Sequence, residues 1–370
     1  MMPLRLRLRD YIISYNHCNA AVSSSIMVWQ TYQADFTAKA LAARRPIAET
    51  EILLAYAKNI HDKGMPIIYD IGHLSLLVGY KVDFLVAAST YPRAYYRNFR
   101  IKKKSGASRV ISEPLPSLKA IQTWILENIL EKFEVSLYAK AYVKGRSIKE
   151  NARFHRNQNN VLTIDIKNFF GSITKVRIIS FFSSLGYSRQ VALLLARLCC
   201  KNSRLPQGAP TSPTLSNIVL VAFDEKLFNV CSLNKVRFTR YADDITFSYE
   251  NKNLTGPLIE YARELLRGEG LVLNRDKTRL MERHQRQEVT GVIVNKKLQV
   301  PIEIRKDLRQ IFYYINKFGL DSHIERIQEK RSRYLYHVLG LCNFVLFINP
   351  NDKEVKGYLI TARDYLTSEE

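Results

Sequence analysis

Arg240-Tyr241-Ala242-Asp243-Asp244-Ile245 is the stretch on which the reading of this chain turns. Two adjacent acids sit between Val236-Arg237-Phe238-Thr239 and Ile245-Thr246-Phe247-Ser248-Tyr249. β-Branched and aromatic residues on both flanks predict a hairpin with the acids at its tip. Two carboxylates held together repel unless a divalent cation neutralises them. Asp is also a common residue of solvated turns, so the stretch alone leaves both readings open.

A third acid shifts the balance. Val161-Leu162-Thr163-Ile164-Asp165-Ile166 is a short apolar run with one Asp near its end. A lone Asp in such a strand is costly without partners. Three carboxylates from two strands are what a pair of Mg²⁺ ions, about 4 Å apart, needs for in-line phosphoryl transfer. One ion would activate an attacking 3′-hydroxyl, and the other would hold the triphosphate and the leaving pyrophosphate.

Tyr241-Ala242-Asp243-Asp244 together with Asp165-Ile166-Lys167-Asn168-Phe169-Phe170 resembles the palm of reverse transcriptases. Between them, Leu205-Pro206-Gln207-Gly208-Ala209-Pro210-Thr211-Ser212-Pro213 resembles that family's B motif. Three motifs in this order make the resemblance specific. It implies an α+β right-hand polymerase with fingers, a palm on an antiparallel sheet and a helical thumb. The expected division is a helical N-terminal region over 1–95, fingers over 96–160, palm with interleaved fingers segments over 161–295, and thumb with a tail over 296–370. The activity implied is RNA-directed DNA polymerase, a nucleotidyltransferase. Its two Mg²⁺ ions would be held by Asp165, Asp243 and Asp244, with Ile166 adding a backbone carbonyl.

Bulk properties agree with a nucleic-acid partner. The 370 residues suffice for two or three subdomains. A net charge of +22, from 56 Lys and Arg against 34 Asp and Glu, predicts a polyanion held through its phosphates. No apolar run reaches membrane-spanning length. The basic start Met1-Met2-Pro3-Leu4-Arg5-Leu6-Arg7-Leu8-Arg9 meets polar Tyr15-Asn16-His17 where a signal peptide needs an apolar segment. The five cysteines, Cys18, Cys199, Cys200, Cys231 and Cys342, form no zinc spacing and fit reduced thiols in a cytoplasmic protein.

In chain order, residues 1–95 read as mostly helical. The apolar pattern around His73-Leu74-Ser75-Leu76-Leu77-Val78-Gly79 and Val82-Asp83-Phe84-Leu85 could be a helix-turn-helix or an ordinary packing pair. Tyr95–Ile101 and Val110–Ser112 alternate like strands around the basic turn Lys102-Lys103-Lys104-Ser105-Gly106-Ala107-Ser108-Arg109. A solvated hairpin tip explains the lysines. The resemblance instead makes this the fingers loop that closes over an incoming triphosphate, with Lys102 or Lys103 and Arg109 as its phosphate contacts. Apolar residues from Leu118 to Phe133 recur at helical spacing. Phe170, five residues after Asp165, stands where the family places a ring that excludes a ribose 2′-hydroxyl. Thr174 is a candidate cap for the following helix.

In the Gln207-Gly208 turn, glycine would let the backbone approach the substrate, and Gln207 would position the template base or the nucleotide. Ser212-Pro213 looks like an N-cap followed by a first-turn proline, opening a helix through Leu215, Ile218, Val219, Ala222 and Phe223. Leu271–Thr278 resembles the family's D motif. There Lys277 is either the general acid for pyrophosphate or a surface lysine. Val289 to Val294 should add a strand. Residues 300–350 are helical and basic, with Arg305, Lys306, Arg309, Lys317, Arg326, Lys330, Arg331 and Arg333 interleaved with Tyr313, Tyr314, Tyr334 and Tyr336, which suits a nucleic-acid-gripping thumb.

Two short elements narrow the resemblance. Asn151-Ala152-Arg153-Phe154-His155, before the first catalytic Asp, and Val289-Thr290-Gly291, after the catalytic motifs, are similar to markers of the bacterial retron branch. This implies RNA recognition by Asn151, His155, Val289, Thr290 and Gly291, with Arg331 and Arg333 of the thumb. It also implies a dedicated structured non-coding RNA as template and primer, and deoxynucleoside triphosphates as substrates. Synthesis would start at an internal guanosine 2′-hydroxyl and leave branched RNA-linked DNA. The further implication is an anti-phage role with a separate effector protein encoded nearby. Twenty residues after Pro350 are too few for an RNase H domain, so template removal would fall to a cellular RNase H. The rival readings are a group II intron-like or diversity-generating reverse transcriptase, and an inactive RNA-binding scaffold. The two markers speak against the first, and three intact acids against the second.

Overall fold

The computed structural model describes residues 29–102, 106 and 108–368; Lys103 and Cys18 lie outside them. The chain divides into two compact units. One comprises residues up to Ser136 with Asn168–Val221, and the other Leu137–Lys167 with residues from Ala222 onward.

The first unit is helical around one hairpin. Helices Trp29–Ala42, Ile47–Asp62, Ile71–Val78 and Val82–Thr90 fill residues 29–95. Asp70 caps the third by accepting from the His73 amide at 2.8 Å. Gly79, at φ 73°, closes it. The last two helices meet at 107° and bury Leu74 and Leu85 completely, so packing accounts for the pair weighed as a helix-turn-helix. Among the described residues no single helix is long and apolar enough to cross a membrane; this bent pair passes by composition only when taken together.

Strands β1 (Tyr96–Lys102) and β2 (Ser108–Pro114) pair antiparallel, as the alternation around the basic turn predicts. Helix Pro116–Asn128 follows and stops at a 3₁₀ turn, short of the Phe133 end expected from spacing. Its Gln122 is fully buried and donates to the Leu198 carbonyl at 2.7 Å and to the Tyr96 hydroxyl at 2.8 Å. That satisfies the amide nitrogen, whereas the buried Oε1 has no hydrogen-bond partner. Helix Arg189–Cys199 is buried on almost every side. Thr174 does stand at the N-cap of helix Lys175–Ser184, but its side chain makes no capping hydrogen bond.

The B-motif helix differs from expectation. It spans Thr211–Val219 with Pro210 at the N-cap, so Ser212 is a buried first-turn residue rather than the cap. It also breaks at Leu220 before helix Val221–Leu233.

The second unit is built on a four-stranded antiparallel sheet in the order β4-β5-β3-β6. β3 is Asn160–Ile166, β4 Arg237–Tyr241, β5 Asp244–Tyr249 and β6 Leu273–Glu282. β3 lies between two neighbours and is buried at every position but one, which explains its unbroken apolar run. Helix Thr255–Gly268 precedes β6 and ends where Gly270, at φ 69°, turns the chain.

Val289–Val294 is not one strand. It forms a two-residue hairpin, β7 (Glu288–Val289) and β8 (Val292–Ile293), because Thr290 and Gly291 both take positive φ, 48° and 82°. Helices Ile302–Phe318, Leu320–Arg326, Tyr334–Ile348 and Lys353–Ser368 complete the unit. Their core of Leu308, Phe312, Val338, Cys342 and Val345 is continuous with Val289 and Val292.

Candidate active site

β4 and β5 are joined by Ala242-Asp243, with Tyr241 facing Asp244. Ala242 sits at φ 58°, as a two-residue hairpin turn requires. On the other side of β5, Asp165 of β3 faces Asp244. The Ile166 amide donates to the Asp243 carbonyl at 2.9 Å. All three acids are therefore gathered at one end of the sheet by strand register.

Arg240, on the strand leading into the turn, is fully buried. Its Nε and Nη2 each donate to Asp224 at 2.7 Å, and Asp224 is also fully buried. Its Nη1 donates to the Ala242 carbonyl at 3.3 Å. The fork geometry of the guanidinium thus ties the Ala242-Asp243 turn to helix Val221–Leu233.

Both oxygens of Asp165 are engaged. Asn274 Nδ2 donates to Oδ1 at 2.8 Å, and Lys277 Nζ donates to Oδ2 at 2.7 Å. A break in register makes this possible. β3 advances from Thr163 to Asp165 while its β6 partner moves from Arg279 to Asn274, and Lys277 lies in the extra residues. The contact to Asp165 raises the Lys277 pKa, so this lysine is a held proton.

Asp244 keeps an accessible edge, yet its crowded surroundings and the nearby Asp243 and Asp165 carboxylates push its pKa up to about 6. Among the described residues no three acidic, His or Cys side chains already converge as a metal centre. The donor set nevertheless fits a divalent cation. It is all oxygen, as hard cations prefer, and its mutual repulsion is what bound positive charge relieves.

The branch markers meet in the interior. Asn151 lies on helix Ile148–Phe154, and His155 follows directly. Both are fully buried, as is Val289. The Thr239 hydroxyl donates to Asn151 Oδ1 at 2.6 Å, and Asn151 Nδ2 donates to Thr290 Oγ1 at 3.3 Å. His155 lies between Thr239 Oγ1 (Nε2, 2.7 Å) and Ser248 Oγ (Nδ1, 2.8 Å).

Since Thr239 spends its proton on Asn151, it accepts from His155. Nε2 therefore carries the hydrogen, and Nδ1 accepts from Ser248. Burial, with Arg237 and Lys140 nearby, lowers the His155 pKa to about 3, so the ring is neutral. The expectation that Asn151, His155 and Val289 touch RNA is corrected: no surface of theirs reaches solvent. They brace the β4–β5 hairpin that carries Asp243 and Asp244, because Thr239 and Ser248 belong to its strands. Thr290 and Gly291, in the β7–β8 turn, are partly accessible.

The other unit carries the nucleotide-binding candidates. Lys102 and Arg109 are exposed near the tip of the β1–β2 hairpin. Phe170 is half-buried in the short helix Phe169–Ser172, its ring centroid 5.2 Å from that of buried Phe169. Gly208 has φ 125°, and a Cβ there would lie 2.8 Å from the Ser112 carbonyl and 2.9 Å from Ile111 Cγ2. The Gln207 carbonyl accepts from the Ser112 amide at 2.7 Å. The close approach that demands glycine is thus to β2, where a substrate contact was expected.

Arg331 and Arg333, in the turn between helices Leu320–Arg326 and Tyr334–Ile348, are exposed, with Arg331 Nη2 2.6 Å from Glu329. Tyr313 and Tyr336 are exposed, whereas Tyr334 is buried and bonded to His323 at 2.9 Å.

Asn274, Asp224, Arg240, Thr239 and Ser248 escaped the sequence reading. An Asp in the apolar helix and an Arg in the apolar strand were the available signals for the ion pair. Polar residues on a strand's inward face were the signal for the network.

A match to the family described as reverse transcriptase (RNA-dependent DNA polymerase) covers residues 101–299, more than half of the chain. The retron Ec86 reverse transcriptase of Escherichia coli is 31% identical over 80% of this chain and 86% of its own length. The retron Mx65 reverse transcriptase of Myxococcus xanthus is 34% identical over 70% of this chain and 63% of its own. Among solved structures, telomerase from Candida albicans aligns with a TM-score of 0.43 and 13% identity over 72% of this chain and 62% of that one, too loose a likeness to build on. Motif order, the sheet with its three acids and these relatives agree: the chain belongs to the retron-type reverse transcriptases and is an RNA-directed DNA polymerase of the α+β right-hand class.

Proposed function

We propose that this protein copies a dedicated structured RNA, serving as both template and primer, into branched RNA-linked single-stranded DNA. The observation that carries the chemistry is the gathering of Asp165, Asp243 and Asp244, with an ammonium and an amide already seated on Asp165. Those acids, with the Ile166 carbonyl, would hold two Mg²⁺ ions. Bound there, such ions lend Lewis-acid stabilisation to the charge that develops on a transferring phosphoryl group.

The remaining roles belong to the chain itself. Lys277 holds a proton for the leaving pyrophosphate. Lys102, Lys103 and Arg109 bind the triphosphate of the deoxynucleotide, Gln207 and Gly208 shape the templating position, and Phe170 excludes a 2′-hydroxyl. Arg331, Arg333, Thr290 and Gly291 contact the RNA, whose phosphates the net charge of +22 favours. The setting is the bacterial cytoplasm, with a cellular RNase H removing template and a separate effector protein completing an anti-phage system.

The test is co-expression with the RNA encoded beside the gene, followed by recovery of bound nucleic acid. Wild type should yield DNA whose mobility shifts after RNase digestion and survives heating, the mark of a covalent RNA–DNA joint. Asp243→Asn with Asp244→Asn should retain RNA and yield no DNA. DNA from that variant at wild-type level would remove the role of the acids. Wild-type DNA free of RNA would sink the branched product.

A further inference from the structure

We propose that a basic recess in the first unit binds one phosphodiester segment of single-stranded RNA, with a base stacked on Tyr91. The recess encloses about 470 Å³ and is lined by Tyr91, Arg93, Lys175, Arg197, Asn202 and Ser203 among others. That volume lies within the range of small-ligand sites and accommodates one nucleotide. The proposal rests on RNA being the partner, as argued above.

Charge is the first argument. Three cations converge and no acid is among the lining residues. The Arg93 Nε donates to Asn202 Oδ1 at 2.8 Å, a neutral acceptor that orients the guanidinium without neutralising it. Lys201, next to Asn202 in the chain, has its pKa lowered mainly by burial, with a further contribution from the positive charge of Arg93. Like charges gathered around a cavity are relieved by an anion.

Shape is the second. Lys201 and Arg204 exchange backbone hydrogen bonds of 2.9 and 3.1 Å across Asn202-Ser203, whose φ values of 52° and 60° are both left-handed. The Lys175 amide donates to the Ser203 carbonyl at 2.8 Å, fixing this turn against the helix that begins there. Two consecutive left-handed residues bridged in this way make a tight two-residue turn, and both of them line the recess.

Tyr91, 71% exposed, supplies the third. A large exposed aromatic beside cations is the pairing that single-stranded nucleic acid recognition uses, stacking for the base and charge for the backbone. A site for free phosphate would have no use for the ring.

The test uses the full-length protein and a fluorescein-labelled 15-nucleotide oligouridylate, with affinity read by anisotropy across a salt series. Arg93→Gln with Lys175→Gln and Arg197→Gln should weaken binding at least tenfold. The slope of log affinity against log salt should become shallower by about 0.7, as expected for one lost phosphate contact on a single strand. Tyr91→Ala should weaken binding with an unchanged slope, and Lys175→Arg with Arg197→Lys should restore affinity. In the wild type, a 4-thiouridine version of the oligonucleotide should crosslink to residues 89–94 or 197–203, a readout independent of how the variants fold. Unchanged affinity and slope in the triple variant, or crosslinks only elsewhere, overturns the proposal. So does displacement of the oligonucleotide from the recess by millimolar deoxynucleotide, which would make it a nucleotide site. Primer extension by the wild type on a pre-annealed template judges the polymerase reading separately.

Discussion

Lys277 Nζ lies 2.7 Å from Asp165 Oδ2, so the lysine expected to serve the leaving group is seated on an acid expected to hold metal. A cation bound at that oxygen competes electrostatically with the ammonium, and weakening this contact would free Lys277 to serve the pyrophosphate. Lys277→Met should therefore lower kcat by about 10²–10³, the usual worth of a general acid. It should also reduce the divalent-ion concentration needed for half-maximal rate, because the competitor is gone. Primer extension over a metal series measures both, and an unchanged kcat would leave Lys277 a tether only.

Phe170→Val or Phe170→Ala should raise the kcat/KM of ribonucleotides relative to deoxynucleotides by about 10-fold to 100-fold, since a pocket contact of this size discriminates on that scale. Competitive primer extension reads the ratio. No change would return the ring to the core beside Phe169.

The buried His155 makes stability depend on pH. Its folded pKa of about 3 lies below its ordinary 6.5, so below pH 6.5 the unfolded chain takes up a proton that the folded state refuses. Stability from this group is complete above 6.5 and falls by roughly 1.4 kcal/mol per pH unit as acidity carries the protein toward pH 3. Urea melts at pH 7 and pH 5 should show wild type losing about 2 kcal/mol more than His155→Gln. Because the network braces the hairpin that carries Asp243 and Asp244, Asn151→Ala should slow synthesis equally on structured RNA and on a pre-annealed primer. Loss confined to the structured RNA would restore a recognition role.

Arg240 and Asp224 separate stability from positioning. Asp224→Asn leaves a buried guanidinium without its carboxylate counter-charge and should cost about 3–5 kcal/mol. Replacing both, Arg240→Met with Asp224→Leu, should recover most of that, while polymerisation stays low because the Ala242 carbonyl has lost its donor. Full activity in a stable double variant would mean that the turn holds itself.

Much of the site was legible in sequence because local chemistry marks it. Asp165 in an apolar strand and glycine at 208 each break a local rule, whereas Asp243-Asp244 between β-rich runs suits a solvated turn as well and gains its meaning from the third acid. The alternating strands, the helical first segment and the basic thumb follow from periodicity. What the sequence could not show is who meets whom across the chain. Nothing near Asn151 announces Thr290, 139 residues away, or that Asn151, His155 and Val289 are buried. The same letters suit an exposed RNA reader and a buried brace, and only tertiary packing decides which groups lose water. Register settled the rest. The break that carries Lys277 to Asp165, and the pairing of Asp165 with Asp244, are properties of strands aligned in space, set by hydrogen bonds that no single segment makes alone.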